Sequence, residues 1–201
     1  MQIKIQPMGS HQTNCYIATI DGKDLIIDPG VGATKWVLAN VTNPVAILNT
    51  HGHFDHVWSN AEVKEALKIP IYCPKDDVFM LKDDPLGQGT PQSTPDYKVV
   101  GDKTLNIDGI KVKFRHFPGH TPGSSVIELK DVWFSGDFLF DQSIGRWDFP
   151  ASNPEDMIKS LEKVAKIKED YTIYPGHGCD TTLKIEQKIT YFWIEQVKRS
   201  L

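Results

Sequence analysis

The chain opens with short runs in which apolar and polar residues alternate, "QIKIQP", "NCYIATI" and "DLIIDPG", separated by the turn dipeptides Asp21-Gly22 and Pro29-Gly30. Alternation bounded by turns is the pattern of half-buried β-strands. "TKWVLANV" has the spacing of a short helix, and "VAILNT" reads as a buried strand. "SNAEVKEALK" returns to helical spacing before another buried strand, "IPIYCP". From Asp83 to Tyr97, with four prolines and glycines in "PLGQGTP", the pattern predicts a long irregular loop of the kind that is functional or mobile.

Strand patterning resumes with "KTLNI", a turn at Asp108-Gly109, "IKVKFRHF", "SSVIEL" and "DVWFSG". "SNPEDMIKSLEKVAKI" predicts a helix with Asn153 as N-cap, Pro154 in its first position and acids in its first turn. Its Met157, Ile158, Leu161, Val164 and Ala165 share one face. "YTIYPG" is a further strand, and "TTLKIEQKITYFWIEQVKRS" predicts one last amphipathic helix. Two groups of strands, each followed by helices, predict an α/β fold of two packed sheets with helices outside. No break in composition divides residues 1–201, so one domain is expected.

Bulk properties narrow the partners. With 201 residues and 40% apolar content the chain can bury a sizeable core. Its net charge of −4, without a basic run, offers no footprint for nucleic acid or an anionic membrane, which leaves a small-molecule substrate to be argued from the motifs. The start "MQIKIQPMGS" lacks the apolar core of a secretory signal. Three widely spaced cysteines suit a reducing compartment, and a cytoplasmic location is the expectation. Oligomeric state is not legible.

The chemistry concentrates in "NTHGHFDHVWSN", which places three of the seven histidines and an aspartate within six positions. On an extended segment His51 and His53 point the same way, while Asp55 and His56 lie where the chain turns toward the next helix. That predicts two adjacent half-sites. Imidazole and carboxylate without thiolate is the donor set of catalytic zinc, iron or manganese. Two half-sites require distant partners, and His120 in "FPGHTPGS", Asp137 in "FSGDFLF" and His177 in "IYPGHGCD" each follow a strand-like run. The bland alternatives are a solvated histidine-rich loop for the cluster, and a turn histidine or an aspartate satisfying loop amides for each distant residue.

"THGHFDH", "PGHTPGS", "SGDFLF" and "PGHG", in that order and after "LIIDPG", resemble the motif series of the metallo-β-lactamase-fold hydrolases. The resemblance runs from Asp28 to His177 and implies an αββα sandwich of two mixed sheets, with a metal site at one edge. It implies a first metal on His51, His53 and His120, a second on Asp55, His56 and His177, and Asp137 bridging both. Zinc is the first expectation for the two divalent ions, with iron or manganese as alternatives. Asp28 would be either a carboxylate supporting the ligand loop or a turn aspartate before Pro29. Two cations sharing a water bring its pKa to roughly 7, so a bridging hydroxide becomes the nucleophile and Asp55 both ligates and orients it.

Lactamases proper commonly carry cysteine where this chain has Asp137, which points away from antibiotic hydrolysis. "SGDFLFDQSIGRWDFP" resembles instead the glyoxalase II-like hydrolases, which cleave glutathione thioesters such as S-lactoylglutathione. In that group a cation after the "GDxLF" segment meets the glutathione carboxylate. Arg146 holds that place, or else pairs with a surface acid such as Asp148. "HGCDTT" in place of the family's tyrosine, and an end soon after one helix, are closer to short single-domain relatives. The alternative within the resemblance is a persulfide dioxygenase-like enzyme with one iron on His51, His120 and Asp137. A non-catalytic binding module is the third reading.

Overall fold

The computed structural model describes residues 1–201. Strand β1 (Gln2–Met8), β2 (Thr13–Ile20), β3 (Lys23–Ile27), β4 (Pro44–Leu48), β5 (Ile71–Pro74) and β6 (Tyr97–Val99) form one sheet in that order. Its first three strands are antiparallel and its last three run parallel to their predecessors. The second sheet contains β7 (Lys103–Ile107), β8 (Ile110–His116), β9 (Ser125–Leu129), β10 (Val132–Gly136), β13 (Thr172–Pro175) and β14 (Thr181–Thr182). Its order is β14-β13-β10-β9-β8-β7, with β10 and β13 parallel and the other pairs antiparallel. Between β10 and β13 lies a small hairpin, β11 (Leu139–Phe140) and β12 (Ser143–Ile144).

Period-two alternation explains the layering. Along β2, Tyr16, Ala18 and Ile20 face the other sheet, while Cys15 and Ile17 face helices; Leu25 and Ile27 against Ile26, and Ala46 and Leu48 against Ile47, divide the same way. From the second sheet, Ile110, Val112 and Phe114 of β8 meet them in the inter-sheet core, while Lys111 stays exposed on the opposite face. Helices α1 (Ala33–Asn40) and α3 (Asn60–Leu67) cover the first sheet through Val37 and Val63, joined by the one-turn helices α2 (Phe54–Val57) and α4 (Met80–Asp83) through Val57, Met80 and Leu81. Helices α5 (Pro154–Ala165) and α7 (Thr190–Lys198) cover the second through Met157, Leu161, Val164, Ile194 and Val197. The result is the expected αββα sandwich of two mixed sheets. Removing a fully buried inter-sheet ring such as Phe114 would cost about 3–5 kcal/mol.

The helix after the Asp137 region starts as expected: Asn153 Oδ1 accepts from the Asp156 backbone N–H at 3.0 Å, and Pro154 follows in the first turn. The final helix does not. Residues 181–198 divide into β14, a four-residue helix α6 (Leu183–Glu186) and α7. The break has tertiary causes. Glu186 is buried, accepting from Thr181 Oγ1 at 2.7 Å and from the Gln142 backbone N–H at 3.0 Å. Gln187 Nε2 donates to the carbonyls of Val164, in the last turn of α5, and Ile167, just after it, both at 2.8 Å. Backbone bonding across Lys188–Thr190 tightens to i→i−3 turns. No helix is long and apolar enough to cross a membrane.

Candidate metal centre

The histidine-rich loop leaves β4 and is stapled at its ends by paired amides: Asn60 Nδ2 donates to Asn49 Oδ1 at 2.9 Å, and Asn49 Nδ2 to Asn60 Oδ1 at 3.2 Å. His53 is extended (φ −65°, ψ 144°), and directly after it the one-turn helix α2 (Phe54–Val57) begins. The extended part directs the His51 and His53 rings together, centroids 4.9 Å apart, and the helical turn directs Asp55 and His56 to a second point. His120, Asp137 and His177 reach the same edge from the segments after β8, β10 and β13. A bond from the Ser125 N–H to the Thr50 carbonyl, 2.9 Å, ties the two sheets beside the loop.

All seven expected residues converge. Potential ligand atoms of His51, His53 and His120 lie within 4.8 Å of one another, and so do those of Asp55, His56 and His177. Asp137 stands between the groups: its Oδ1 is 3.2 Å from His56 Nε2, and its Oδ2 is 3.4 Å from His120 Nε2 and 3.5 Å from His177 Nε2. Neighbouring acceptors fix the rings. His56 Nδ1 donates to Asp28 Oδ2 at 2.9 Å, His120 Nδ1 to the Arg146 carbonyl at 2.7 Å and His177 Nδ1 to the His11 carbonyl at 3.0 Å. Thr50 Oγ1 donates to Asp28 Oδ2 at 2.6 Å, so it receives the proton of His51 Nδ1, 3.0 Å away. In the neutral form of each of these four rings Nε2 has its lone pair toward the centre.

These donors fit a cation. His51 Nε2, His53 Nε2, His56 Nε2 and Asp137 Oδ1 are buried without a hydrogen bond, although His56 Nε2 and Asp137 Oδ1 are in ion-pair range. Orphaned buried polar atoms are costly, and His51 Nε2, His56 Nε2 and Asp137 Oδ1, at the edge where His53 turns its Nδ1 toward His120 Nε2, call for a shared positive charge. His53 Nδ1 and His120 Nε2 face each other at 2.9 Å, two nitrogen bases that share either a proton or a cation.

Protonation divides the two groups. Burial, reinforced by neighbouring histidines, holds His51 well below its ordinary value and His53 at about 3; burial also lowers His120. These three are neutral at neutral pH, the form that binds metals. In the second group burial is outweighed. The carboxylates of Asp55 and Asp137 keep His56 well above its ordinary value, and hydrogen bonds to Asp137 and Asp55 raise His177 to about 9. Burial alone would raise Asp55 and Asp137, but the His56 cation keeps both below the usual carboxylate range.

Asp28, at a positive φ of 49° before Pro29, accepts from His56 Nδ1 and Thr50 Oγ1. Arg146 borders the site, yet its guanidinium forms two 2.8 Å bonds to the Asp148 carboxylate and lies 4.2 Å over the Phe149 ring. Four contributors escaped the sequence reading. Thr13 Oγ1 donates to Asp55 Oδ2 at 2.6 Å; His11 supplies its carbonyl to His177 and its ring packs on Phe54; Thr50 links Asp28 to His51; and Asp77 lies under the loop. None carries a spacing signal, because each acts across the fold. A cavity of about 530 Å³ opens on the centre, with His53, Asp55, His120, Asp137 and His177 at its base and Phe54, Leu86, Phe140 and Phe149 along its walls. Trp58 packs behind Phe54 and does not line it.

Residues 8–177 match the family model described as the metallo-beta-lactamase superfamily. The chain is 34% identical over 209 residues to the hydroxyacylglutathione hydrolase GloC of Haemophilus influenzae, covering 96% of this chain and 98% of that one. Among solved structures, the BLEG-1 B3 metallo-beta-lactamase aligns with a TM-score of 0.85 at 31% identity, covering 95% of this chain and 99% of that one. TTHA1623, solved in a di-iron-bound form, aligns at 0.79 and 30% identity, covering 91% and 96%.

Proposed function

The chain belongs to the metallo-β-lactamase superfamily, and on that premise we propose that it is a binuclear metal-dependent hydrolase cleaving a thioester such as S-lactoylglutathione. The observation that carries the reading is Asp137 standing within 3.5 Å of histidine nitrogens from both groups at the base of an apolar-walled cavity. In this reading His51, His53 and His120 hold the first metal, Asp55, His56 and His177 the second, and Asp137 both. Zinc, iron and manganese all suit these donors. The di-iron form of TTHA1623 keeps iron beside zinc as a candidate.

Bound there, the ions supply an acidified water as nucleophile and Lewis acidity toward the acyl oxygen. The chain's own residues supply position. Asp28 and the Arg146 and His11 carbonyls hold three imidazole rings with Nε2 inward, as the distances above require. Thr13 anchors one oxygen of Asp55, which orients the attacking water while helping to hold the second metal. Phe54, Leu86, Phe140 and Phe149 exclude bulk water from the acyl portion. A thiolate leaves with a pKa near 8.5, so no general acid is demanded, and none is evident at the base of the cavity. Arg146 can offer a substrate carboxylate its free Nη1 edge, or the Nε edge by releasing Asp148, an exchange made cheap by their exposure on the surface.

Thioester cleavage draws support from the relationship to GloC, and the likeness to BLEG-1 makes a lactam the first competitor. The test is elemental analysis of the purified protein followed by a panel of S-lactoylglutathione, a β-lactam, a lactone and glutathione persulfide. Thiol release from the thioester well above turnover of the rest is expected. Lactam opening alone, or oxygen uptake with persulfide and one iron per chain, would overturn the proposal.

A further inference from the structure

One buried acid takes no part in this chemistry. Asp77 closes the 3₁₀ turn Lys75–Asp77 after β5, and its side chain is wholly inaccessible. It has no cationic partner. Oδ2 accepts from the Gly52 N–H at 2.9 Å and from Thr121 Oγ1 at 2.7 Å, and Oδ1 accepts from the Gly123 N–H at 2.6 Å. Burial pushes its carboxyl up to about 6, against the pull of those three donors. A carboxylate kept in such a place is a poor contributor to stability, because an apolar side chain of similar volume would cost less desolvation.

The donors explain its presence. Gly52 separates His51 from His53, and Thr121 and Gly123 follow His120, so one carboxylate grips both segments that carry the first group of imidazoles. The approach is as close as backbone allows. A Cβ on Gly52 would lie 2.8 Å from the Asp77 carbonyl oxygen, and one on Gly123 would lie 2.7 Å from Asp77 Cγ. Thr121 is held in turn, its Oγ1 2.6 Å from Ser124 Oγ and its N–H donating to that oxygen at 3.0 Å. The second group hangs on other supports, namely Thr13, Asp28 and the His11 carbonyl.

We infer that Asp77 is a positioning residue for the first metal, fixing the spacing of His51 and His53 against His120 without touching metal or substrate. The inference rests on the assignment of those three histidines as one metal site. It predicts a site-selective defect. Asp77→Asn preserves shape but turns an N–H toward one of the three donors, so at least one bond is lost.

The experiment is a stepwise cobalt(II) titration of the metal-free full chain against a chromophoric chelator, resolving two affinities and the d–d spectrum of each, with thermal unfolding alongside. Asp77→Asn should weaken one step about 10–100-fold and alter its spectrum, while the other stays within about threefold of wild type. Thr121→Val, a milder cut, should weaken the same step less and serves if Asp77→Asn does not fold. Both affinities unchanged in a folded variant, or both lowered alike together with Tm, would overturn the inference. His53→Ala should abolish the step that Asp77→Asn weakens. If it leaves both steps intact, the site assignment fails and the inference with it; if it acts as expected while the Asp77 and Thr121 variants bind normally, the inference alone fails.

Discussion

Asp28 Oδ2 accepts from His56 Nδ1 at 2.9 Å and from Thr50 Oγ1 at 2.6 Å, so a single carboxylate oxygen serves one ring directly and the His51 ring through a hydroxyl. Asp28→Asn therefore has a definite consequence. With its carbonyl kept on the Thr50 backbone N–H, which donates to Oδ1 at 2.8 Å, its amide nitrogen replaces Oδ2 and faces Thr50 Oγ1 and His56 Nδ1, which must become acceptors. The His56 proton moves to Nε2, the atom opposite Asp137, and that lone pair is lost. Second-metal affinity should fall about 10–100-fold with little change in Tm, as read by metal titration and calorimetry. Normal stoichiometry and affinity would refute the tautomer argument.

Proton release should distinguish the two sites. His177 is raised to about 9 and His56 is also raised, so both carry protons at pH 7, whereas His53, at about 3, and the lowered His51 and His120 do not. A cation must displace the first pair of protons and not the others. Second-site affinity should rise with pH up to about 9, and first-site affinity should be flat across pH 6–9. Binding enthalpies in buffers of different ionisation heat measure the protons released. Equal release at both steps would contradict the protonation scheme.

Metal removal should lower thermal stability, because the folded centre binds cations that the unfolded chain holds weakly. With free metal a thousandfold above Kd, one site adds about 4 kcal/mol. For about 200 residues that corresponds to roughly 8–16 °C in Tm. Scanning calorimetry with and without a chelator gives the answer, and coincident transitions would show that the centre does not hold metal.

The Arg146–Asp148 pair sets up opposed substitutions. If a substrate carboxylate competes with Asp148 for the guanidinium, Arg146→Ala raises KM for S-lactoylglutathione and Asp148→Ala lowers it, with kcat unchanged in both. Steady-state kinetics decide. Parallel changes of KM in the two variants would reduce Arg146 to half of a surface ion pair.

Asn153→Ala provides a change confined to the fold. Losing the N-cap bond to Asp156 should cost about 1 kcal/mol, or roughly 2–4 °C in Tm, with metal content unaltered. Loss of metal in this variant would show that the cap also supports the His120 loop through the 2.8 Å bond from the Asn153 N–H to the Gly119 carbonyl.

What the sequence made legible was local. His51 and His53 could be read as converging because alternation along an extended segment decides their direction, and Asn153 as a cap because its partner is three residues away. Most strands of the inter-sheet core were visible in their own apolar runs; β6, which contributes Val99, was not, because its three residues directly follow the Pro/Gly-rich loop. Asp28 remained ambiguous because its partners, Thr50 and His56, are distant in the chain, and a turn before Pro29 explained it as well. Asp77 gave no signal, since "CPKDDV" contains two adjacent acids and only the fold shows that one of them is inside. The last helix was read as continuous because Gln187–Ile189 keep helical composition; the break comes from the buried Glu186 carboxylate and from the Gln187 amide reaching carbonyls at the C-terminal end of α5.

Asp55 and His56 come from the loop after β4, while their third companion, His177, follows β13. A nascent polypeptide leaving the ribosome carries the first two long before the last has been translated. On the proposed assignment, cation capture by that trio is a late event in biosynthesis, completed only when the closing quarter of the molecule has emerged and docked.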